Sequence, residues 1–219
     1  MVVYFKALIA AGRSVFVRFA PEMNGSWFPY GQRPEEFKKS WIYCINYWRK
    51  ELGDDKSKVA FIWAPNSGNG YPFPKDPESK DEFYGPDLTT PEGRLRMQQM
   101  DTNGNGGLDE DDDPYLPYYP GDAYVDWVGL SIYTYGNVYP WTSNVIPSPR
   151  KFEGMLQGLA PDVPNKFGAA NHSILISRRH WIPGYSAGSK PFIVAETGQR
   201  TTLLGKTRAC QALQTKPSL

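Results

Sequence analysis

The chain has 219 residues, enough for one large domain or two small ones, and 40% of them are hydrophobic, so a real core can form. Its 24 basic and 23 acidic residues leave a net charge of +1, which gives no electrostatic footprint for nucleic acid or an anionic membrane. No apolar run is long enough to span a membrane, and the two cysteines, Cys44 and Cys210, are too few for a disulfide framework and fit no metal-binding spacing.

The opening "MVVYFKALIAAGRS" (1–14) has a short apolar stretch that Lys6 interrupts, and no tidy cleavage site follows. It reads as a helix rather than a signal peptide. "SVFVRFA" (14–20) is short, rich in Val and Phe, and almost continuously apolar, which suits a strand buried on both faces of a parallel sheet. "RPEEFKKSWIYCINYWRKEL" (33–52) opens with Pro and two acids, as helix N-termini do, and its Phe37, Trp41, Ile45 and Trp48 recur at helical spacing. Cys44 falls inside that pattern and reads as a plain core residue. "VAFIWAP" (59–65), "YVDWVGLSIY" (124–133) and "KPFIVAE" (190–196) look like further buried strands, with a weaker helical pattern at 148–159. Strand and helix alternating along one chain predict an α/β fold with parallel strands. The tail "GKTRACQALQTKPSL" carries no clear strand pattern.

Residues 66–123 break this rhythm. They are dense in Gly, Pro, Asn and Asp, and read as a long irregular loop inserted in a single domain spanning 1–219. Within it, "DTNGNGGLDEDD" (101–112) follows a helix-like "PEGRLRMQQM" and fits an EF-hand-type calcium loop. Oxygen side chains fall at Asp101, Asn103, Asn105, Asp109 and Asp112, Gly106 takes the turn position, and Gly107 would supply a carbonyl. A solvated acidic turn is the plain alternative. "NGS" (24–26) and "NHS" (171–173) match the N-glycosylation pattern. The first stands beside a candidate catalytic residue and is read as chance.

Two glutamates stand where strands end. Glu22 follows "SVFVRFA" and Glu196 closes "KPFIVAE". In a (β/α)8 barrel, catalytic groups sit at the C-terminal ends of strands. Two carboxylates flanking a bond can hydrolyse a glycosidic linkage, one protonating the leaving oxygen and the other attacking or positioning water. Aromatics at 15%, with 7 Trp and 14 Tyr, suit sugar rings, although core packing accounts for most of them.

These residues carry a resemblance. "VRFAPEMNGSWFPYG" resembles the acid/base segment of glycoside hydrolase family 26, and "KPFIVAETG" its nucleophile segment, while "FIWAPNS" and "VDWVGLSIYTYG" look like its fifth and sixth strands. The similarity runs from about Val15 to Thr197. It implies a partial TIM barrel covering strands four to seven of eight, in a chain truncated at its N-terminus. The activity it implies is retaining, endo-acting hydrolysis of a β-linked polysaccharide, β-mannan first, with mixed-linkage β-glucan or xylan as the other candidates. Glu22 would be the acid/base and Glu196 the nucleophile. Arg18 matches an arginine near the nucleophile, Trp27 a sugar-stacking tryptophan, and Tyr133 a tyrosine that touches the nucleophile. No cofactor is needed for catalysis. The family is extracellular. Pro21 and Ser131 depart from the histidine and aspartate of some members, which bears on mannan specificity rather than on glycosidase chemistry. A carbohydrate-binding remnant without turnover is the rival expectation.

Overall fold

The computed structural model describes residues 1–134 except 69, 76, 78 and 79, together with 149–150, 152, 155–156, 190–199, 202–203 and 206–207. Helix α1 (Val2–Ala10) leads into strand β1 (Val15–Arg18), and helix α2 (Pro34–Leu52) returns the chain to β2 (Val59–Trp63) through a 3-10 turn at Gly53–Lys58. Helix α3 (Pro91–Met100) precedes β3 (Trp127–Thr134), and β4 (Phe192–Gln199) follows. The four strands lie in the order β1-β2-β3-β4, each parallel to its neighbour. The expected parallel α/β arrangement is present, with β1 and β2 shorter than their apolar runs.

The sheet curls. Arg18 on β1 forms an ion pair with Glu196 on β4, across two intervening strands. In a flat sheet those outer strands would stand roughly 14 Å apart, too far for side chains pointing straight out. Curvature gives the sheet an inner face that carries Arg18 and Glu196. The outer face carries the core. Val17, Phe61, Trp63, Val128 and Leu130 are buried there with Phe37, Trp41, Ile45, Trp48 and Leu52 of α2. Trp48 stacks on Phe61 at 5.7 Å and meets Phe5 and Phe19 edge to face. The indole N–H of Trp41 donates to the Tyr124 carbonyl at 2.9 Å and that of Trp63 to the Tyr118 carbonyl at 3.2 Å, so these two indoles are buried with their polar atoms paired. Asp126 fixes the start of β3: its carboxylate accepts from the Phe61 N–H at 2.8 Å and from Arg49 at 2.9 Å.

The stretch 66–123, expected as one irregular loop, contains α3 and two 3-10 turns, Leu116–Tyr118 and Asp122–Tyr124. It also buries Tyr71, Met100, Tyr115 and Tyr118 completely or nearly so. It is a packed part of the domain. Thr90 caps α3, its hydroxyl accepting from the Gly93 N–H at 3.0 Å. The tail adds a short antiparallel pair, β5 (Thr202–Leu203) and β6 (Lys206–Thr207), where no strand was expected. Of the helix expected at 148–159, the described residues Phe152, Met155 and Leu156 are helical. Asn171 and Cys210 lie outside the described residues. Among the described residues, no helix is long and apolar enough to cross a membrane.

Candidate active site

The inner face takes Arg18 from the end of β1 and Ser131, Tyr133 and Glu196 from within β3 and β4; Glu196, expected to close its strand, lies inside β4, whose pairing with β3 continues to Gln199. Val17 turns outward into the core, so its neighbour Arg18 turns inward by the two-residue period of a strand. One Arg18 nitrogen pairs with Glu196, and the other donates to the hydroxyl of fully buried Ser131 at 2.9 Å. A planar guanidinium divided in this way is held in one orientation.

Glu196 reaches that face through a bulge. Leu130 pairs with Val194 and Ser131 with Glu196, so Ala195 is an extra residue in β4. A Cβ placed on Gly129 would stand 2.9 Å from that of Ala195, which puts Ala195 on the inner face. Strict alternation would then turn Glu196 outward. The extra residue keeps it inward, beside Ser131 and Arg18. The Tyr133 hydroxyl donates to the other Glu196 oxygen. That hydrogen bond is the largest influence and holds the Glu196 carboxyl below the usual glutamate range; burial opposes it, and the Arg18 contact adds to it.

Glu22 sits on the loop leaving β1. Ala20 and Glu22 take φ of +40° and +57°, a sparsely populated region for residues with a Cβ. The Glu22 N–H donates to the Ala64 carbonyl at the end of β2, at 2.8 Å, which fixes the turn. Its carboxylate accepts from the Trp27 indole N–H at 2.9 Å. Trp27 therefore touches Glu22 while remaining partly exposed. Its ring lies on the Gly25 backbone, where a Cβ would stand 2.3 Å from Trp27 Cζ2; only glycine fits there.

The structure thus places the five expected residues in two contact sets: Arg18, Tyr133 and Glu196, and Glu22 with Trp27. Tyr30 lies within electrostatic range of both. Burial, then the charge of Glu22, push its hydroxyl up to about 12, with Arg18 opposing. It remains protonated at neutral pH and donates to the Pro21 carbonyl at 2.9 Å.

Sequence reasoning missed Tyr30 and three further supports. Asn24 is fully buried, which also removes the "NGS" match from the surface. Its amide nitrogen donates to the Asn66 carbonyl, and its oxygen accepts from the Asn66 N–H, both at 2.9 Å. This side chain clips the Glu22 loop to the loop after β2. Buried Gln32 and Ser26 add clips to the Pro72 and Phe73 carbonyls at 2.6 and 2.9 Å. A glutamine just before a helix, or an asparagine beside a glycine, looks like ordinary loop composition.

The 101–112 loop lies apart from these contacts and is tied within itself. The Asp101 carboxylate accepts from the N–H groups of Gly104, Asn105 and Gly106. The Asn103 and Asn105 amides donate to Asp109. Fully buried Asp112 accepts from the N–H groups of Thr102, Asn103 and Asp109. The Asn105 contact, with the Asp111 N–H, holds Asp109 below the usual carboxylate range. Gly107 donates its N–H to Asn105 Oδ1 at 2.9 Å. Among the described residues, no three His, Cys, Asp or Glu side chains converge as a metal cage.

No model of a known protein family and no curated protein matches this chain.

Proposed function

We propose that the chain is a retaining glycosidase domain acting on a β-linked polysaccharide, β-mannan first, with its curled sheet corresponding to half of a (β/α)8 barrel. Glu196 is the nucleophile and Glu22 the acid/base. The observation that carries the reading is the Glu196 carboxylate, kept ionised by a tyrosine hydroxyl and a guanidinium. A carboxylate so held can attack an anomeric carbon, forming the C–O bond to Glu196 while the bond to the leaving oxygen breaks. Glu22 passes its proton to that oxygen, then takes one from the water that releases the sugar. Arg18 and Tyr133 orient the nucleophile.

The test is a 2-deoxy-2-fluoro-β-mannosyl fluoride incubation read by intact mass. A stable adduct that maps to Glu196, and that Glu196→Gln abolishes, supports the assignment. No adduct, together with no hydrolysis of β-mannan, mixed-linkage glucan or xylan, overturns it. A second reading, sugar binding without turnover, is favoured by the four-stranded sheet, whose outer edges have no strand partner among the described residues. Binding of mannohexaose with no adduct would select it.

The proposal includes a structural calcium ion held by Asp101, Asn103, Asn105, Asp109, Asp112 and the Gly107 carbonyl. Its support is the spacing of hard oxygen donors. Calcium is expected to raise the thermal midpoint and to give a calorimetric binding heat. Absence of both removes it from the proposal.

A further inference from the structure

The sequence holds four Asn–Gly pairs, beginning at Asn24, Asn69, Asn103 and Asn105; Asn69 lies outside the described residues. Asparagine is a thermolabile residue, and a following glycine has no Cβ to keep its peptide nitrogen away from the asparagine side chain. The fold treats the other three pairs in two ways. Asn24 is fully buried, with its amide oxygen and nitrogen both held by the Asn66 backbone. The Gly25 N–H donates to the Glu22 carbonyl at 2.9 Å, and Trp27 lies against Gly25. That pair is shut in.

Asn103–Gly104 and Asn105–Gly106 are exposed on the 101–112 loop, and their geometry repeats. The side-chain oxygen of Asn103 accepts from the Asn105 N–H, and that of Asn105 from the Gly107 N–H, both at 2.9 Å. A side chain bonded to the N–H two residues on is folded over the peptide between them, the one that carries the glycine nitrogen. A hydrogen bond to the amide oxygen also makes Cγ more open to attack. The two glycine nitrogens share one acceptor. Gly104 and Gly106 donate to the two carboxylate oxygens of Asp101 at 2.7 and 2.8 Å, so a base stands on each proton that must leave. A Cβ built on Gly104 or Gly106 would meet nothing within 4 Å, which leaves both peptides open to water.

We propose that Asn103 and Asn105 are sites of self-modification, each closing on the following glycine nitrogen to give a cyclic imide that water opens. The glycine nitrogen bonds to the asparagine Cγ, and the bond from Cγ to Nδ2 breaks. The glycine proton passes by way of Asp101 and water to the departing nitrogen, which leaves as ammonia. Water then opens the imide at either carbonyl, giving aspartate or its isomer with the chain running through the side-chain carbon. Water is the only co-reactant. Each conversion replaces an amide that donates to Asp109 with a carboxylate that repels it, so the loop loses two of its ties.

The experiment incubates the full chain in warm, mildly alkaline water enriched in heavy oxygen, folded and in guanidinium, with a chelator present so that Asp101 carries no cation. Peptide mapping then reads heavy oxygen at each asparagine. Unfolded, Asn24, Asn103 and Asn105 share the same Asn–Gly chemistry and serve as the reference. Folded, Asn103 and Asn105 are expected to convert about tenfold faster than in guanidinium, through the held geometry, while Asn24 stays intact. Asp101→Asn is expected to remove that gain at both sites and to leave the unfolded rates as they were. Folded rates at Asn103 and Asn105 no higher than the unfolded ones would mean that the loop promotes nothing and would overturn the proposal. So would an Asn24 that converts as fast as the other two, or a gain that survives Asp101→Asn.

Discussion

Glu196 carries two neighbours whose effects can be separated. Tyr133 donates a neutral hydrogen bond, and Arg18 contributes charge together with hydrogen bonding. The hydrogen bond is the larger influence on its protonation. As the proposed nucleophile, Glu196 would work only when ionised, so activity is expected to rise as pH climbs through its pKa. Removing a donor to the ionised form raises that pKa. Tyr133→Phe is therefore expected to move the acid limb of the kcat/KM profile to higher pH, with the alkaline limb left in place. A parallel fall at every pH would mean that Tyr133 only packs. Asn24 offers a stability test at the same scale. Asn24→Ala removes two hydrogen bonds and leaves the Asn66 peptide group short of partners, a cost of about 2–3 kcal/mol readable from urea midpoints. The two glutamates stood out because each follows an apolar run, although β4 continues past Glu196 to Gln199. Asn24 did not, because its partner lies 42 residues further on and nothing local announces the pairing.

Helix α2 was legible almost to the residue. Its Pro and acids mark the start, and one face repeats large apolar side chains through Leu52. That face meets three aromatic rings through Trp48 alone. Trp48→Ala is expected to cost about 3–5 kcal/mol, measured as a shift in denaturant midpoint at unchanged slope. The stretch 66–123 was harder to read. Periodicity is the main signal for regular elements, and Tyr71, Tyr115 and Tyr118 bury without any. Density of Gly and Pro suggested one long irregular loop, whereas contacts such as the buried hydrogen bond from the Gly68 N–H to the Tyr115 hydroxyl, 2.8 Å, pack it into the domain. The bulge at Ala195 was equally silent, since it follows from the pairing of two strands that are distant in sequence.

Across the whole molecule, the sheet presents two outer strands. Phe16 on β1 and Val194 on β4 are 55% and 37% exposed, large values for apolar strand residues. Parallel edges with exposed apolar side chains template further pairing. The chain is expected to self-associate in sedimentation velocity across the micromolar range, and Val194→Lys should lower the association by placing a charge on one edge. A single monomeric species at every concentration would mean that the edges are covered.

The contact between Arg18 and Glu196 joins the first strand of the sheet to the last, so it works as a tie-rod as well as a chemical device. Three parallel pairings connect the strands from β1 to β4, but their hydrogen bonds tolerate a range of twist. Anything that discharges Glu196, whether a proton or a covalent bond to its oxygen, slackens the tie without touching the backbone. The depressed pKa gives the sign: the tie is taut at neutral pH and lost as pH falls through the folded-state value. The charge on this one carboxylate and the curvature of the sheet are thereby coupled.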